Sequence, residues 1–342
     1  MSWQEPQAVV FLCVSIVIVA ALVAYAVLAA RARRRELFGE QYPAKLYVRP
    51  LWGVANRFRT LNVAYDLARI LKVELVVLEN DDTYWTAKMD DLCSVPFPDA
   101  NSPPMRVIDT DTFYRVTPRE TFTELIYNVE GDCSRRTSVS EVRAIISAGR
   151  SAVIYACGLF IDLPSPLTDD FYKRMRLSPR MAAELGPITT KIRETRAIGV
   201  HSRSGNQPDH KNGWMFTKWE SDKTKHALFC CHKDASKNLS ACPSTATPIE
   251  KFMDAMNKFG KDQVFFVAAD RIPCIILLLQ EFPDRVLYTP RKDLVEKVID
   301  SETAFKDWWC LGECSRLVLS GISSFSGESV KRRAVPAEFL GP

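Results

Sequence analysis

The sequence has little net charge outside one short basic cluster. The formal charge of the 342-residue chain is +4 at pH 7, and a similar excess lies in Arg31, Arg33, Arg34 and Arg35 alone. The remainder is close to neutral and lacks a broad basic face, which argues against nucleic-acid binding. Internal repeats and low-complexity tracts are also lacking, and the composition is not that of a disordered protein. We therefore expect a sizeable core and enough chain for two domains plus an anchor.

Charge is wholly absent from residues 8–30. At about 1.5 Å per residue, a helix of this length crosses a hydrocarbon core of about 30 Å. A secretory signal peptide is the main alternative, but residues 1–7 contain Glu5 and no Lys or Arg, and the apolar run exceeds the usual about 7 to 15 residues. We predict a tail at 1–7, a single transmembrane anchor at 8–30 and a juxtamembrane stem at 31–44.

Two features disagree about the side of the membrane on which the rest of the chain lies. The basic cluster follows the apolar stretch, and the positive-inside rule places such a flank, with everything after it, in the cytoplasm. A glycosylation sequon at Asn238 and ten cysteines favour an oxidising lumen. With Cys13 in the membrane, an odd number of cysteines remains, so these cannot all pair within the chain. Both orientations stay open on these grounds.

The first half of the remaining chain alternates between strand and helix patterns. An extended segment begins at 46–48, and an apolar helical stripe at 57–71 leads into a buried strand at 73–78. Residues 80–119 show little periodicity and are expected to form mostly loop and short elements. A further strand is predicted at 151–156. We place a domain at 45–190, ending in a proline-punctuated connection with a helical part around 169–176.

The second half, which we assign to a domain at 191–342, has a more regular pattern. Short strands separated by helical segments, typical of a Rossmann-like layer, are predicted at 197–200, 264–268, 285–288 and 317–320. One helix has a readable start, with Thr247 as N-cap, Pro248 at the first helical position and Glu250 two positions later. Residues 206–244 are polar and contain cysteines, so we expect a loop there. The chain as a whole is predicted to be α/β.

A first group of polar residues lies between a predicted strand and a predicted helix. It reads Gly53, Val54, Ala55, Asn56, Arg57, Phe58 and Arg59. Gly53 permits a tight turn, after which donors of Asn56 and Arg57 can converge at the helix N-terminus on an anionic or hydroxyl-rich ligand. A helix capped by Asn56, with solvated arginines, explains the same residues without a ligand. Taken alone, this group does not decide between the two.

A second group directly follows the strand predicted at 197–200 and reads His201, Ser202, Arg203, Ser204, Gly205 and Asn206. Ligands of open α/β sheets bind beyond the carboxyl ends of the strands, so a side chain here points into the crevice. The planar guanidinium of Arg203 can bind a diphosphate through two hydrogen bonds and stabilise the charge that develops on it. The alternative is an interdomain salt bridge of Arg203 beside a buried, hydrogen-bonded His201.

Two more groups follow later strands. Residues 320–326 give a strand end, a glycine turn, a hydroxyl cluster and a helix start, and such hydroxyls and N–H groups bind phosphate well. An ordinary serine-rich helix cap is the alternative. Asp270 follows Ala268 and Ala269, where its carboxylate could accept a hydrogen bond from a nucleotide base or ribose, or could cap a helix starting at Ile272.

In this order, the four groups resemble the fucosyltransferase superfamily. They read G-x-x-N-R-x-R at 53–59, H-x-R-x-x-N at 201–206, an A-x-D type turn at 268–270 and S-S-F-S at 323–326. The superfamily includes α-1,6-fucosyltransferases, NodZ-like enzymes and protein O-fucosyltransferases. The likeness extends in order over most of the chain after the stem.

The resemblance implies a GT-B glycosyltransferase with two facing Rossmann-like domains, the acceptor side at 45–190 and the nucleotide-sugar side at 191–342. It implies fucose transfer from GDP-fucose to a glycan or protein hydroxyl, with inversion, without a cofactor or metal, and in the Golgi or endoplasmic reticulum lumen. The implied catalytic residues are Arg203, Asn56 and Arg57. The implied donor-binding residues are His201, Arg203, Asp270, Ser323, Ser324, Phe325 and Ser326.

The sequence also departs from the pattern of the family. Many relatives have a second arginine where this chain has Ser204, and Gly205 with Asn206 replaces a more frequent pairing with aspartate. One cation fewer weakens neutralisation of a diphosphate unless a residue such as Lys211 compensates. Another GDP- or UDP-linked sugar donor, or a catalytically silent glycan-binding or scaffold protein, are therefore the alternatives. No general base is identified, and the D-x-D spacing of Asp109 and Asp111 is discounted because it lies in an irregular region.

Overall fold

The structure is a computed structural model that describes residues 44–51, 53–79, 87–94, 105–126, 137–156, 161–163, 170–203, 247–270, 272–290, 300–321 and 323–341. The predicted tail, anchor and, apart from its last residue, stem lie outside these residues, as does the predicted loop at 206–244. Within the described ranges, no helix is both long and apolar enough to span a membrane.

A parallel sheet of five strands forms from the first half of the chain. Its strands are β1 (Leu46–Pro50), β2 (Leu75–Glu79), β4 (Arg106–Asp109), β5 (Phe122–Ile126) and β7 (Ser151–Ala156), in the order β4-β2-β1-β7-β5. Shorter strands form two further pairs, β3 (Cys93–Ser94) with β9 (Arg176–Leu177) and β6 (Thr137–Ser138) with β8 (Ile161–Asp162). The apolar runs of β2 and β7 are mostly buried, as expected of interior strands in a parallel sheet.

The second half of the chain forms another parallel sheet of five strands. These are β10 (Ile198–Ser202), β11 (Phe265–Ala269), β12 (Val286–Leu287), β13 (Arg316–Ser320) and β14 (Ala337–Leu340), in the order β12-β11-β10-β13-β14. Central strand β10 is buried at every position. At Gly199 an added Cβ would lie 2.5 Å from Cδ2 of Leu317, so this strand accepts no side chain there. The predicted α/β class with parallel sheets is confirmed.

Helices connect the strands of both sheets. They are α1 (Val54–Leu71), α2 (Met89–Leu92), α3 (Thr110–Val116), α4 (Val139–Ser147), α5 (Asp170–Arg174), α6 (Pro179–Glu194), α7 (Ile249–Asn257), α8 (Ile272–Glu281), α9 (Ser301–Leu311) and α10 (Ser324–Lys331), with one 3-10 turn at Arg119–Thr121.

Helix α6 replaces much of the proline-punctuated connection expected from the sequence. Ser178 caps its first turn by accepting the N–H of Met181 at 3.2 Å, and Pro187 lies inside the helix. Proline normally ends a helix because it lacks an N–H and clashes with the preceding turn. Here Met181, Leu185 and Ile192 are buried along one side, and their packing outweighs the lost hydrogen bond.

Short elements lie within the described part of residues 80–119, as expected, and among them are β4 and α3. Strand β4 is at the edge of the first sheet and has no fully buried residue, so it lacks the apolar signature of an inner strand. Asp109 caps α3, since its side chain accepts the N–H of Thr112 at 2.7 Å. The D-x-D spacing of Asp109 and Asp111 is therefore part of a helix start.

Two predicted helix caps were wrong. Helix α1 begins at Val54 with Gly53 as its N-cap, so Asn56 lies inside the first turn. Helix α7 begins after Pro248, and the hydroxyl of Thr247 donates to the carbonyl oxygen of Leu340 at 3.2 Å. Thr247 thus connects this segment to β14, which the sequence did not indicate.

Residues 45–342 form one compact unit, and α1 lies in its interior. This helix packs on β1 and β2 of the first sheet and also on α9 and α10 of the second half. Phe58 stacks on Trp308 with ring centroids 4.6 Å apart. The main apolar core therefore contains side chains from both halves of the chain.

Candidate functional site

The second, third and fourth polar groups come together beyond the carboxyl ends of the strands of the second sheet. The term sheet edge refers below to this side of the sheet. His201 pairs in register with Leu319 of β13 and with Ala268 of β11, so all three strands end at the same side. Arg203, Asp270 and residues 320–326 follow directly. This is the edge at which ligands of parallel α/β sheets bind.

His201 is packed inside this edge. Only 3% of its surface is exposed, its Nδ1 lies 2.7 Å from Oγ of Ser326, and its ring stacks on Phe325 with centroids 4.6 Å apart. Burial, together with the nearby positive charge of Arg203, lowers the pKa of His201 to about 3. The imidazole is therefore neutral at pH 7 and carries no charge toward an anionic ligand.

Arg203 is held in place through its backbone. Its N–H donates to Oγ of Ser320 at 2.9 Å, and the Ser320 hydroxyl donates to the carbonyl oxygen of His201 at 3.2 Å. Ser320 is fully buried, whereas Arg203 is only partly buried. The last described residue of the second group is thus fixed through its backbone at the sheet edge, where its cationic side chain is partly exposed.

Helix α10 begins beside Arg203. Ser323 is its N-cap and accepts the N–H of Ser326 at 3.4 Å, with Ser324 and Phe325 in the first turn. Gly321 is required by a neighbour, because an added Cβ would lie 2.8 Å from the carbonyl oxygen of Leu340. The serine cluster therefore forms an ordinary helix cap, and it also places a helix N-terminus, which favours anions, at the sheet edge.

The first polar group reaches the same region because α1 packs against α10. Asn56 is partly buried in the first turn of α1, and Arg57 is almost fully buried, with 1% exposed. Arg59, one turn below Asn56, donates from Nε to Oε1 of Glu328 at 2.7 Å. The structure thus connects the first group, through the contact between Arg59 and Glu328, to the helix that begins in the third group.

Glu328 is the residue of this region that sequence reasoning missed. Its carboxylate is fully buried and pairs with Arg59, with Lys331 at 2.9 Å and with the hydroxyl of Tyr172. These partners come from α1, α10 and α5. A single glutamate within a helix carries no sequence signal of such a role, because its partners are distant in the chain.

Asp270 lies one residue beyond β11 and is partly buried. Its position at the strand end matches the predicted location at the sheet edge. Ser204, Gly205 and Asn206, which complete the second group, lie outside the described residues. The assignments of individual site residues to donor binding and catalysis stay predictions.

A groove of about 860 Å³ lies elsewhere, at the C-terminal end of α10, and none of the four polar groups lines it. The chemistry predicted for this chain belongs to the sheet edge rather than to that groove. At the sheet edge, a cation and a helix N-terminus stand beside a neutral, buried imidazole. Together they suit a ligand with a phosphate or diphosphate group.

No protein-family model and no curated protein sequence matches the chain. Solved structures do match it. A crystal structure of POFUT1 in complex with GDP-fucose shares 14% identity and a TM-score of 0.52, covering 88% of this chain and 99% of that one. The chain has a fucosyltransferase-like fold. NodZ α-1,6-fucosyltransferase soaked with GDP-fucose also shares 14% identity, with a TM-score of 0.52 and coverage of 87% and 95%.

A third match is the fucosyltransferase NodZ from Bradyrhizobium, at 14% identity and a TM-score of 0.50, covering 84% of this chain and 93% of that chain. The resemblance that the sequence groups suggested is therefore confirmed for the fold. At this level of identity, structural similarity establishes the architecture and leaves function to the site residues.

Proposed function

We propose that this protein is a glycosyltransferase that moves fucose from GDP-fucose to a glycan or protein hydroxyl. The observation that carries the proposal is the junction of Arg203 and the N-terminus of α10, joined through Ser320. It lies at the ligand-binding edge of a fold shared with structures that contain GDP-fucose. A diphosphate is the part of that donor that such a junction suits.

In this proposal, Arg203 binds the β-phosphate and residues 323–326 line the diphosphate, with Asp270 near the nucleoside. His201 shapes this pocket through Phe325 and Ser326, the two residues that its ring contacts. Asn56 and Arg57 act from the first half of the chain, near the sugar or its phosphates. Together these residues use both halves of the molecule, as a GT-B enzyme does.

The proposed reaction inverts the anomeric carbon without a metal ion. The acceptor hydroxyl oxygen forms a bond to that carbon, the bond to the β-phosphate oxygen breaks, GDP leaves with the electron pair, and the acceptor hydroxyl proton passes to solvent. Arg203 and the α10 N-terminus stabilise the charge that builds up on the leaving diphosphate. His201 is a poor base for the acceptor proton, because its pKa is about 3 and its Nδ1 faces Ser326.

We further propose that residues 8–30 anchor the protein in a Golgi or endoplasmic reticulum membrane with residues 45–342 in the lumen. The uncharged stretch supports the anchor. The sequon at Asn238 and the ten cysteines support the luminal orientation, and the basic flank opposes it. Expression with and without an Asn238→Gln change tests it. A mass shift that N-glycosidase removes from the parent but not the variant supports the lumen, whereas an unmodified, protease-accessible chain indicates the cytoplasm.

The donor site is tested by thermal unfolding of the full-length protein with GDP, UDP, ADP and their sugar conjugates. A ligand at a hundred times its dissociation constant adds about 2.7 kcal/mol to the unfolding free energy. We expect GDP and GDP-fucose to stabilise the protein, and Arg203→Ala to abolish this shift. Arg316→Ala is the matched control, because Arg316 begins β13 at the opposite end of the strand and is half-exposed.

Fucose transfer is then measured with glycan and glycoprotein acceptors. We expect Arg203→Ala to lower the rate by roughly two to three orders of magnitude, as loss of a transition-state charge contact does. Stabilisation by UDP-sugars alone would change the proposed donor. If no nucleotide stabilises a well-folded parent protein, the enzyme proposal fails and a glycan-binding role replaces it.

A further inference from the structure

The groove at the C-terminal end of α10 has a strongly positive lining. Lys173, Arg176, Lys331, Arg332 and Arg333 line it, and no acidic residue is among its described lining residues. Its volume of about 860 Å³ is in the usual range of ligand sites. Because the rest of the chain is close to neutral, this concentration of cations is a local feature.

The groove cations are only partly neutralised by nearby carboxylates. Lys331 pairs with buried Glu328 at 2.9 Å, and Arg333 with buried Glu313 at 3.0 Å. Each of these carboxylates is already shared with a cation outside the groove, Glu328 with Arg59 and Glu313 with Arg193. They therefore leave an excess of positive charge.

Two cations at the rim have no carboxylate partner in the part of the chain that the structure describes. The guanidinium of Arg176 donates to the backbone carbonyls of Lys173 and Met175, at 2.7 and 2.9 Å. The Lys173 side chain is exposed and makes no hydrogen bond or ion pair with a described residue. Both are available to a ligand.

Arg332 provides a fixed cation at the base of the groove. It is 6% exposed, bonds to Glu313 and stacks over Trp309 with its Cζ 4.0 Å from the ring centroid. Gly312 makes room for it, because an added Cβ there would lie 2.3 Å from Nε of Arg332. The lining thus combines buried and exposed cations with apolar side chains such as Leu177 and Ala182.

We propose that this groove binds an anionic glycan, a short run of sugar units carrying sulfate or carboxylate groups. The spread of cations around the groove suits several anionic groups on one ligand, and the apolar lining suits the C–H faces of sugar rings. A bilayer surface is flat and cannot reach Arg332. Single-stranded nucleic acid also binds in positively charged grooves, but its bases stack on exposed aromatic rings, and both aromatic residues of this lining, Tyr172 and Trp309, are buried.

This groove is separate from the donor site. Helix α10 has eight residues and is about 12 Å long at 1.5 Å per residue, with Ser323 before one end and Arg332 after the other. The inference therefore does not rest on the proposed transferase activity. A glycan held here and a nucleotide at the sheet edge should bind without competition.

The test is titration calorimetry of the full-length protein with a fully sulfated heparin tetrasaccharide at physiological ionic strength. We expect the parent to bind the tetrasaccharide. The double variant Lys173→Gln with Arg176→Gln should bind it about tenfold more weakly, because it lacks two charge-assisted contacts. The matched control is Arg143→Gln with Lys258→Gln, two exposed cations outside the groove, expected to change affinity less than twofold. Equal losses in both double variants would show nonspecific charge attraction and overturn the proposal.

Competing ligands distinguish the sources of negative charge. A desulfated tetrasaccharide and inorganic sulfate at matched anion concentration should bind at least tenfold more weakly, and GDP should not compete. Binding of sulfate as tight as that of the tetrasaccharide would indicate a simple anion site. Tighter binding of single-stranded DNA or anionic vesicles would indicate a different partner. Competition by GDP would indicate that the tetrasaccharide binds at the donor site. Each of these results would refute the glycan assignment, as would no binding of the tetrasaccharide.

If the double variant melts at a lower temperature than the parent, Lys173→Gln alone serves in its place. Its side chain has no described partner, so its removal leaves the fold unchanged. A loss of about threefold is expected for one exposed cation. Unchanged affinity in this variant would contradict the proposal independently of folding.

Discussion

Acid should destabilise this protein through His201 before its carboxylates titrate. The pKa of His201 is lowered from 6.5 to about 3 by burial and by Arg203. A group whose pKa is depressed on folding contributes stability that is present above the unfolded-state value and is lost as the pH falls toward the folded-state value. Between pH 6.5 and pH 5, at about 1.4 kcal/mol per pH unit, this amounts to about 2 kcal/mol.

The measurement is urea unfolding at pH 8, 6.5 and 5 for the parent and for His201→Asn. Asparagine can keep a hydrogen bond to Ser326 but does not titrate, so we expect a lower plateau at pH 8 and a loss on acidification smaller by about 2 kcal/mol. Ser326→Ala is the control, because it removes the contact at Nδ1 and retains the imidazole. Because the variants differ from the parent at one residue each, effects of pH that do not involve that residue cancel in the comparison.

Equal pH dependence in the parent and His201→Asn would refute this reasoning. It would mean that the imidazole is hydrated in solution and that its packing on Phe325 does not persist. If acid destabilises the parent but not the Ser326→Ala variant, the effect comes from the contact with the Ser326 hydroxyl rather than from burial.

Three further changes test the packing of the second sheet and its charges, each by urea unfolding. Gly199→Ala should cost about 1 to 3 kcal/mol, because the new Cβ would lie 2.5 Å from Leu317, and an unchanged midpoint would contradict the close packing. Glu328→Ala should cost about 3 to 5 kcal/mol, since it leaves the buried Tyr172 hydroxyl and two cations without their acceptor; a loss under 1 kcal/mol would show that these contacts contribute little. Burial raises the pKa of Glu313, but the positive charges of Arg332 and its neighbours outweigh this and hold the pKa below its usual value. The parent should therefore lose stability as the pH falls below about 4.5, and Glu313→Gln should lose less. Parallel plots of unfolding free energy against pH for the two proteins would argue against the ion pair of Glu313 with Arg332.

The sequence predicted the inner strands of each sheet well and most of the outermost strands poorly. Strands β7, β10, β11 and β13 lie within one or two residues of their predicted positions, because buried parallel strands are continuous apolar runs. Edge strand β12 was predicted at 285–288 and lies at Val286–Leu287, but edge strands β4, β5 and β14 were missed. Each missed strand is outermost in its sheet, where only one neighbour shields it, so most of its residues are partly exposed and carry no such run.

The candidate site was predictable in position but not in detail. Polar residues follow the ends of several predicted strands. Because ligands of parallel α/β sheets bind beyond the carboxyl ends of the strands, these residues indicated the sheet edge as the site. That His201 would be buried against Phe325, and that Gly321 would be needed by Leu340, depend on contacts between residues distant in sequence. Such contacts leave no local pattern in the sequence. They also show that packing of the protein itself, and not only a ligand, accounts for the residue types at these positions.

The interior position of α1 has a consequence for how substrates enter. Opening the molecule by swinging one half away from the other would unstack Phe58 from Trp308 and expose the carboxylate of Glu328 to water. Both changes are costly, so the two sheets are expected to remain at a fixed separation when ligands bind and leave. In the proposed transferase, donor and acceptor would then have to reach the sheet edge without a hinge motion between the two halves of the chain.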